Sequence, residues 1–223
     1  MGPRSPASGP HEGGRVVAAG APLDRARAAM IMVHGRGATA ADILTVAAEL
    51  DAPDIAFLAP QAAGGTWYPY SFLAPMADNE PGLSSGLQVI GDLLAAIAAA
   101  GTPPERTFLL GFSQGACLTL EFVARHARRY AGVAGLSGGL IGPSGTPREY
   151  TGALDGTPVF MGCSDVDFHI PKERVEESAA VLERLGGAVT MRLYRGMGHT
   201  VNADEIRAVQ AMLGAVTNRA DGG

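Results

Sequence analysis

Two short stretches of the chain share the pattern G-x-S-x-G, which often places a serine nucleophile on a tight turn. They are "GFSQG" at residues 111–115 and "GLSGG" at residues 135–139. The chain contains 31 glycines, so a short pattern with two glycines arises easily by chance. The residues around each serine therefore have to decide whether Ser113 or Ser137 could attack a carbonyl carbon.

Ser113 has the surroundings that such a nucleophile requires. The apolar run 106–111 before it predicts a strand, and the pattern of 114–129 after it predicts a helix. A serine on this strand-to-helix turn holds its hydroxyl above the sheet, near helix N–H groups that stabilise negative charge. Ser137 also follows a predicted strand, but the "GGLIGPSG" after it cannot begin a helix. We therefore predict that Ser113 is the nucleophile and that Ser137 ends a glycine-rich strand.

A serine hydroxyl needs a general base, and the base is itself oriented by an acid. His199, in "YRGMGHTVN", follows the last predicted strand and precedes the last predicted helix, where the base of an α/β hydrolase lies. The acid should come from the loop after the preceding strand, "SDVDFHIP" at 164–171. Asp165 and Asp167 are both within reach, and their spacing alone leaves the choice open.

Short apolar runs alternate along the chain with longer segments of helical period. The predicted strands are 15–20, 28–34, 55–60, 106–111, 132–137, 157–163 and 189–195. The predicted helices are 39–50, 83–98, 114–129, 172–185 and 203–216. Most strand segments are continuously apolar, as expected for parallel strands that are covered on both faces. The alternation predicts an α/β fold with a mostly parallel central sheet and helices on both faces.

Composition disfavours several classes of function. The formal net charge is −5, which argues against a nucleic-acid partner because such a partner requires a basic patch. Cys117 and Cys163 are the only cysteines and neither belongs to a metal-binding pattern, so we expect no metal site. Attack by a serine needs no cofactor, so none is expected. No run of 18 apolar residues occurs, so we expect no stable membrane association. These features predict a cytoplasmic protein.

The predicted elements fill residues 15–217, which we expect to form a single domain. The segment before them, 1–14, lacks the apolar region of a signal peptide and is expected to be disordered. Residues 218–223 are expected to form a flexible tail. The basic stretch "RHARRY" at 125–130 is expected to be the last turn of a helix, where cations are favoured.

Five stretches, considered together and in this order, are more specific than any single motif. They are "VHGRGA", "TWYPYSFLAP", "GFSQGA", "GCSDVDFHIP" and "YRGMGHTVN". The sequence resembles the phospholipase/carboxylesterase family of α/β hydrolases, small bacterial esterases related to acyl-protein thioesterases, over residues 28–213. The resemblance implies the α/β-hydrolase fold, with Ser113 as nucleophile and His199 as base.

The same resemblance implies which carboxylate is the acid and which N–H groups bind the oxyanion. Asp167 begins the family's D-P-x-V-P stretch, although Phe168 occupies the position where proline is usual. A tetrahedral intermediate needs N–H donors aimed at its oxygen. One should be the backbone N–H of Gln114, directly after the nucleophile. The resemblance implies the N–H of Arg36, in "HGRG", as the second.

Two long segments lack a predicted element, 61–82 and 138–156, and loops of this length are usually functional or disordered. The first contains the chain's single tryptophan and several other aromatic residues. It is therefore predicted to be a packed loop that forms a wall of the substrate pocket. The side chains predicted to line that pocket are Trp67, Tyr68, Phe72, Leu73 and Met76.

These residues predict a serine carboxylesterase that hydrolyses esters with short to medium acyl chains through an acyl-enzyme intermediate. The alternatives are an acyl thioesterase with the same machinery, a lysophospholipase and, outside enzymes, a module that binds a small ligand on a hydrolase scaffold. The set Ser113, Asp167 and His199 argues against the binding module, because a binder needs none of the three. A small-molecule ester is the expected partner, and the sequence leaves open whether the chain forms a homodimer.

Overall fold

The computed structural model describes residues 9–217, with the backbone alone for 216 and 217. Of the two terminal segments considered above, residues 1–8 and the predicted tail 218–223 lie outside the described residues. Within the described part, seven strands and five α-helices follow one another in the order that the sequence predicts.

The seven strands form one sheet in the order β1-β3-β2-β4-β5-β6-β7. They are β1 (Val16–Gly20), β2 (Ala28–Val33), β3 (Ile55–Pro60), β4 (Thr107–Phe112), β5 (Gly132–Leu136), β6 (Pro158–Ser164) and β7 (Ala188–Tyr194). Every neighbouring pair is parallel except β1 with β3, which is antiparallel. The predicted α/β class with a mostly parallel sheet is confirmed.

Helices cover both faces of this sheet. They are α1 (Ala40–Ala48), α2 (Gly82–Ala99), α3 (Gln114–Arg125), α4 (Lys172–Arg184) and α5 (Ala203–Thr217). Apolar side chains of α2, α3 and α4 share one core cluster, whereas those of α1 and α5 belong to a second cluster. Since both faces are covered, all six positions of β2 and all five of β5 are buried, which explains their continuously apolar sequence.

In the described part of the chain, α2 alone is long and apolar enough in composition to cross a membrane. Its apolar residues recur on one face, and Leu83, Ile90 and Ile97 are completely buried in the core cluster beside the sheet. This burial is typical of a core helix that covers a parallel sheet.

The predicted end of one helix is wrong. The helix predicted over 114–129 ends at Arg125, so "RHARRY" is not its last turn. Ala127 instead makes a bridge with Gly152, and the N–H of Tyr130 donates to the Thr157 hydroxyl (2.9 Å), which turns the chain into β5. These long-range contacts replace the bonds that a longer helix would make.

The predicted disorder of 1–14 does not hold for residues 9–14. His11 is 3% exposed, and its Nδ1 accepts a hydrogen bond from the N–H of Ala63 (3.1 Å). Its Nε2 then donates to the carbonyl of Trp67 (2.8 Å). Because an imidazole can satisfy a donor and an acceptor at once, one residue fixes this polar segment against the 61–82 loop.

Candidate active site

Ser113 lies on the turn between β4 and α3 with a φ of 56°. Residues other than glycine rarely adopt a positive φ, and holding one there costs about 1–3 kcal/mol. The neighbouring glycines make the turn feasible. A Cβ at Gly111 would collide with the carbonyl of Gly115, and one at Gly115 with the carbonyl of Val33. The G-x-S-x-G pattern is therefore a steric requirement of this strand-to-helix turn.

His199 follows β7, and its Nε2 lies 2.8 Å from the Ser113 hydroxyl oxygen. The loop that carries it is fixed by the start of α5, where Asn202 accepts hydrogen bonds from the N–H groups of Asp204 and Glu205. The Glu205 carboxylate in return accepts from the N–H of Asn202 (2.8 Å), which completes a capping box. The strand, the loop and the cap together place the imidazole above the serine.

The structure distinguishes the two candidate acids that spacing left open. Asp167 Oδ2 lies 2.7 Å from His199 Nδ1, and the Asp167 side chain is completely buried. The carboxylate of Asp165 is directed elsewhere and accepts a hydrogen bond from the N–H of Gly196 (2.8 Å). Asp165 thus holds the start of the histidine loop, whereas Asp167 contacts the histidine itself.

The pKa of Asp167 lies below its usual value. Burial is the largest single influence and raises this pKa, but the hydrogen bonds from His199 and from the N–H groups of His169 and Ile170 together outweigh it. The two N–H donors lie 2.8 and 3.1 Å from Oδ1. The carboxylate is therefore ionised at neutral pH and its Oδ2 is free to accept the Nδ1–H of His199.

The second serine of the G-x-S-x-G pair is out of reach of a substrate. Ser137 also has a positive φ, 53°, but it is completely buried and its N–H donates to the carbonyl of Gly162 (2.7 Å). The chain continues into an irregular loop, with no helix at this point. Ser137 therefore ends a strand, as its flanking glycines predict.

The two residues predicted to bind the oxyanion lie at the start of α3 and in the loop after β2. Gln114 is the first residue of α3, so its backbone N–H has no acceptor within the helix. Its side chain accepts from the N–H of Trp67 (2.9 Å) and donates to the carbonyl of Tyr68 (2.8 Å). The Arg36 guanidinium donates to the carbonyls of Pro69 and Tyr70. Both side chains thus hold the aromatic loop.

A cavity of about 540 Å³ opens beside the Ser113 hydroxyl. Two of the five side chains predicted to line it do so, Tyr68 and Phe72, and the aromatic loop forms one wall as expected. The cavity is lined by Arg36, Tyr68, Pro69, Tyr70, Ser71, Phe72, Ser113, Gln114, Cys117, His169, Ile170 and His199.

The prediction is wrong for Trp67, Leu73 and Met76, which do not line this cavity. Trp67 is completely buried beneath the loop, where its indole N–H donates to the carbonyl of His34 (2.9 Å). Leu73 packs half-buried against the core, and the Met76 sulfur accepts a hydrogen bond from Arg125 (3.4 Å). Each side chain has a partner that directs it away from the serine.

Sequence reasoning missed Cys117 and Ile170 as cavity residues. Cys117 lies four residues after Ser113, so it shares the serine's face of α3. Ile170 follows the acid by three residues and donates its N–H to that carboxylate (3.1 Å). Both signals were present in the sequence, because the two residues follow Ser113 and Asp167 at short offsets.

The second long loop braces the cavity wall from behind. Its residue Gly142 donates its N–H to the carbonyl of Phe72 (2.7 Å). The buried Arg174 side chain donates to the carbonyls of Leu140 (2.8 Å) and Gly142 (2.6 Å). The Glu121 carboxylate accepts from the N–H of Ile141 (3.1 Å). The 138–156 loop is thus fixed by buried charges, and it fixes Phe72 in turn.

The chain is similar over most of its length to proteins of one family. The sequence profile of the phospholipase/carboxylesterase family matches residues 15–217. A crystal structure of a phospholipase/carboxylesterase from Dyadobacter fermentans is 44% identical in sequence, with a TM-score of 0.87. That match covers 90% of this chain and 96% of the other. The predicted α/β-hydrolase fold is confirmed.

Two curated relatives match over a shorter segment. Acyl-protein thioesterase 1 of Gibberella zeae is 32% identical over 139 residues, which are 61% of this chain and 59% of the relative. A probable carboxylesterase of Oryza sativa subsp. japonica is 28% identical over 143 residues, 62% of this chain and 54% of the relative. The matches therefore span little more than half the length of these relatives.

Proposed function

Since the chain belongs to the phospholipase/carboxylesterase family, we propose that it is a serine carboxylesterase that hydrolyses short- to medium-chain carboxylic esters. The observation that carries the proposal is the continuous contact from Ser113 to His199 (2.8 Å) and from His199 to Asp167 (2.7 Å). These distances allow a proton to pass from the serine hydroxyl to the imidazole while the carboxylate holds the ring.

The reaction takes place in two halves. Ser113 Oγ attacks the ester carbonyl while His199 Nε2 removes the hydroxyl proton, and Asp167 stabilises the imidazolium that forms. The N–H groups of Gln114 and Arg36 hold the oxyanion of the tetrahedral intermediate, and each such donor lowers the barrier by about 3–4 kcal/mol. His199 then protonates the departing alcohol. Water attacks the acyl-enzyme by the same route and regenerates the serine.

The cavity supports substrates of limited size. Its volume of about 540 Å³ falls within the range of pockets that hold small molecules. Tyr68, Phe72 and Ile170 are among the residues that line the space beside Ser113. We expect kcat/KM for a series of 4-nitrophenyl esters to peak at an acyl chain shorter than about ten carbons. A peak at longer chains would contradict the short- to medium-chain proposal.

A thioesterase is the second candidate, because a relative that is 32% identical is named an acyl-protein thioesterase. The two activities share the triad and differ in the leaving group. The test compares kcat/KM on phenyl butyrate and on S-phenyl thiobutyrate, with Ser113→Ala as the control. Faster hydrolysis of the oxygen ester supports the carboxylesterase, and a strong preference for the thiol ester supports the thioesterase.

Two further alternatives are addressed by the same preparation. Release of fatty acid from a lysophospholipid at a rate above that from soluble butyrate esters would favour a lysophospholipase. Binding of small esters without turnover would favour the binding module. The intact hydrogen-bonded set Ser113, His199 and Asp167 supports turnover.

We propose that the protein acts in the cytoplasm without stable membrane association. Cys117 and Cys163 are both free and buried, which agrees with a reducing compartment. The net charge of −5 disfavours adsorption to anionic lipid. Fractionation of cells that express the protein tests this proposal, which recovery in the membrane pellet would contradict.

A further inference from the structure

The cavity beside Ser113 has an unusual charge balance for a chain whose formal net charge is −5. Its lining includes Arg36, His169 and His199. No carboxylate is among its lining residues in the part of the chain that the structure describes. The side chain of Asp167, whose Oδ2 contacts His199, is completely buried.

Arg36 is held in a fixed position by neutral acceptors. Its Nη1 donates to the Thr66 hydroxyl (3.0 Å) and to the carbonyl of Pro69 (2.8 Å). Its Nη2 donates to the carbonyl of Tyr70 (2.5 Å). Among residues 9–217, no carboxylate lies within ion-pair distance of this guanidinium. These bonds and the Tyr68 ring, whose centroid lies 5.9 Å from Arg36 Cζ, restrict the side chain but supply no negative charge.

Other arginines near this wall are neutralised. Arg148 lies 3.1 Å and Arg174 2.9 Å from oxygens of the Glu177 carboxylate. The protein thus pairs these two arginines with a carboxylate, whereas Arg36, which is a lining residue of the cavity, has no carboxylate partner among the described residues. A paired arginine would be sufficient if Arg36 served only to hold the aromatic loop.

Arg36 also has donors to spare. A guanidinium has five N–H groups, and three of them donate to Thr66, Pro69 and Tyr70. The other two have no acceptor among the described residues. The backbone N–H of the same residue is the proposed second oxyanion donor, so the guanidinium is attached to the segment that receives the ester carbonyl. We therefore expect the guanidinium to reach an anionic group a few bonds away from the scissile bond.

We propose that Arg36 makes this esterase selective for esters that carry a negative charge a few bonds away from the scissile carbonyl. The charge is a carboxylate or a comparable oxyanion on either the acyl or the alcohol part. A guanidinium whose donors are fixed in place binds such oxygens with little loss of side-chain entropy. The proposal rests on the esterase function proposed above and names its substrate class.

The test uses two pairs of substrates in which one member carries a carboxylate where the other carries a neutral group. The acyl pair is mono-4-nitrophenyl adipate and 4-nitrophenyl hexanoate, which have six-carbon acyl groups. The alcohol pair is 4-acetoxybenzoate and its methyl ester. The assays are carried out at pH 8, where the arginine guanidinium is charged. After subtraction of the uncatalysed rate, we expect the anionic member of at least one pair to have a roughly tenfold higher kcat/KM.

The ratio within a pair separates charge recognition from loop positioning. Arg36→Gln removes the charge and should reduce the anionic-to-neutral ratio to about one, even if both rates fall because the loop is released. Arg36→Lys keeps the charge but loses the fork, so both rates should fall while most of the ratio remains. Arg25→Gln, an exposed position at the amino end of β2, removes the same charge and should leave the ratio unchanged.

The outcomes for this proposal and for the esterase itself are distinct. Hydrolysis of the neutral esters without preference in either pair would overturn the role of Arg36 and leave the esterase standing. An unchanged ratio in Arg36→Gln would also overturn it. If that variant does not fold, the wild-type ratio should still fall as ionic strength is raised, and a salt-independent ratio would contradict the proposal. Failure to hydrolyse any ester would overturn the esterase function.

Discussion

Replacing Asp167 by asparagine tests the proposed triad at its acid. Asp167 Oδ1 accepts the N–H groups of His169 (2.8 Å) and Ile170 (3.1 Å), and Oδ2 contacts His199 Nδ1 (2.7 Å). The asparagine oxygen should take the Oδ1 position, because the reverse orientation would set its NH₂ group against two N–H donors. The amide NH₂ would then face His199.

This orientation reverses the tautomer of the histidine. Facing a donor, Nδ1 of His199 must act as an acceptor, so the ring proton moves to Nε2 and points at the Ser113 hydroxyl, 2.8 Å away. The base can no longer accept the serine proton. The loss of a correctly oriented tautomer in a serine triad costs about 10⁴-fold in kcat, which corresponds to about 5 kcal/mol in the activation free energy.

Asp165→Asn is the matched control for Asp167→Asn. The bond that Asp165 makes is one N–H from Gly196 (2.8 Å), and an asparagine oxygen accepts it equally well. We expect kcat on 4-nitrophenyl butyrate to fall less than about threefold in this variant. Thermal unfolding of each variant checks that its fold is intact. Comparable losses in the two variants, or more than a tenth of the wild-type kcat in Asp167→Asn, would refute the reasoning.

Three further predictions concern the scaffold. Burial raises the pKa of Glu205 from 4.5 to about 7. As pH rises from about 4.5 to about 7, the free energy of unfolding of the wild type should therefore fall by up to about 3 kcal/mol relative to that of Glu205→Gln. Glutamine preserves the cap on Asn202. Urea unfolding across this range checks it, and a pH-independent difference would contradict it. Trp67→Phe removes the hydrogen bond to the His34 carbonyl and should lower the free energy of unfolding by about 1–3 kcal/mol, while KM changes less than twofold. A large rise in KM would indicate that Trp67 contacts the substrate. Gly115→Ala places a Cβ against a carbonyl oxygen of β2 and should destabilise the protein by at least about 3 kcal/mol, which a wild-type Tm would exclude.

The sheet and the ends of its strands could be predicted because each depends on local pattern. β2 and β5 are continuously apolar and completely buried, so their sequence leaves little choice of structure. The position of Ser113 follows from the strand before it and the helix after it. His199 follows from the last strand in the same way. Ser113 and His199 lie at the ends of strands, and the apolar pattern of a strand or a helix can be recognised in the sequence.

The contents of the pocket could not be predicted because they lie on an irregular loop. Trp67 and Phe72 belong to the same aromatic segment. Trp67 nevertheless lies in the core, where it donates to the His34 carbonyl, whereas Phe72 lines the cavity. Nothing periodic in the sequence assigns these directions. The order of His11 likewise depends on acceptors and donors more than fifty residues away.

The choice between Asp165 and Asp167 as the acid could be predicted only in part. Asp165 and Asp167 are two residues apart in one loop, so both are near the histidine and spacing cannot separate them. The structure separates them through backbone N–H groups. Those of His169 and Ile170 donate to Asp167, and that of Gly196 donates to Asp165. The family resemblance implied Asp167 because this residue occupies the Asp position of the family's D-P-x-V-P motif.

The central claim is that Ser113 is an activated nucleophile, and a fluorophosphonate probe tests it most directly. The folded protein is treated with the probe and digested, and the modified peptide is identified by mass spectrometry, with Ser113→Ala treated in parallel. We predict one adduct, on Ser113, and none in the variant. An adduct on Ser137, or no adduct on the folded wild-type protein, would contradict the account.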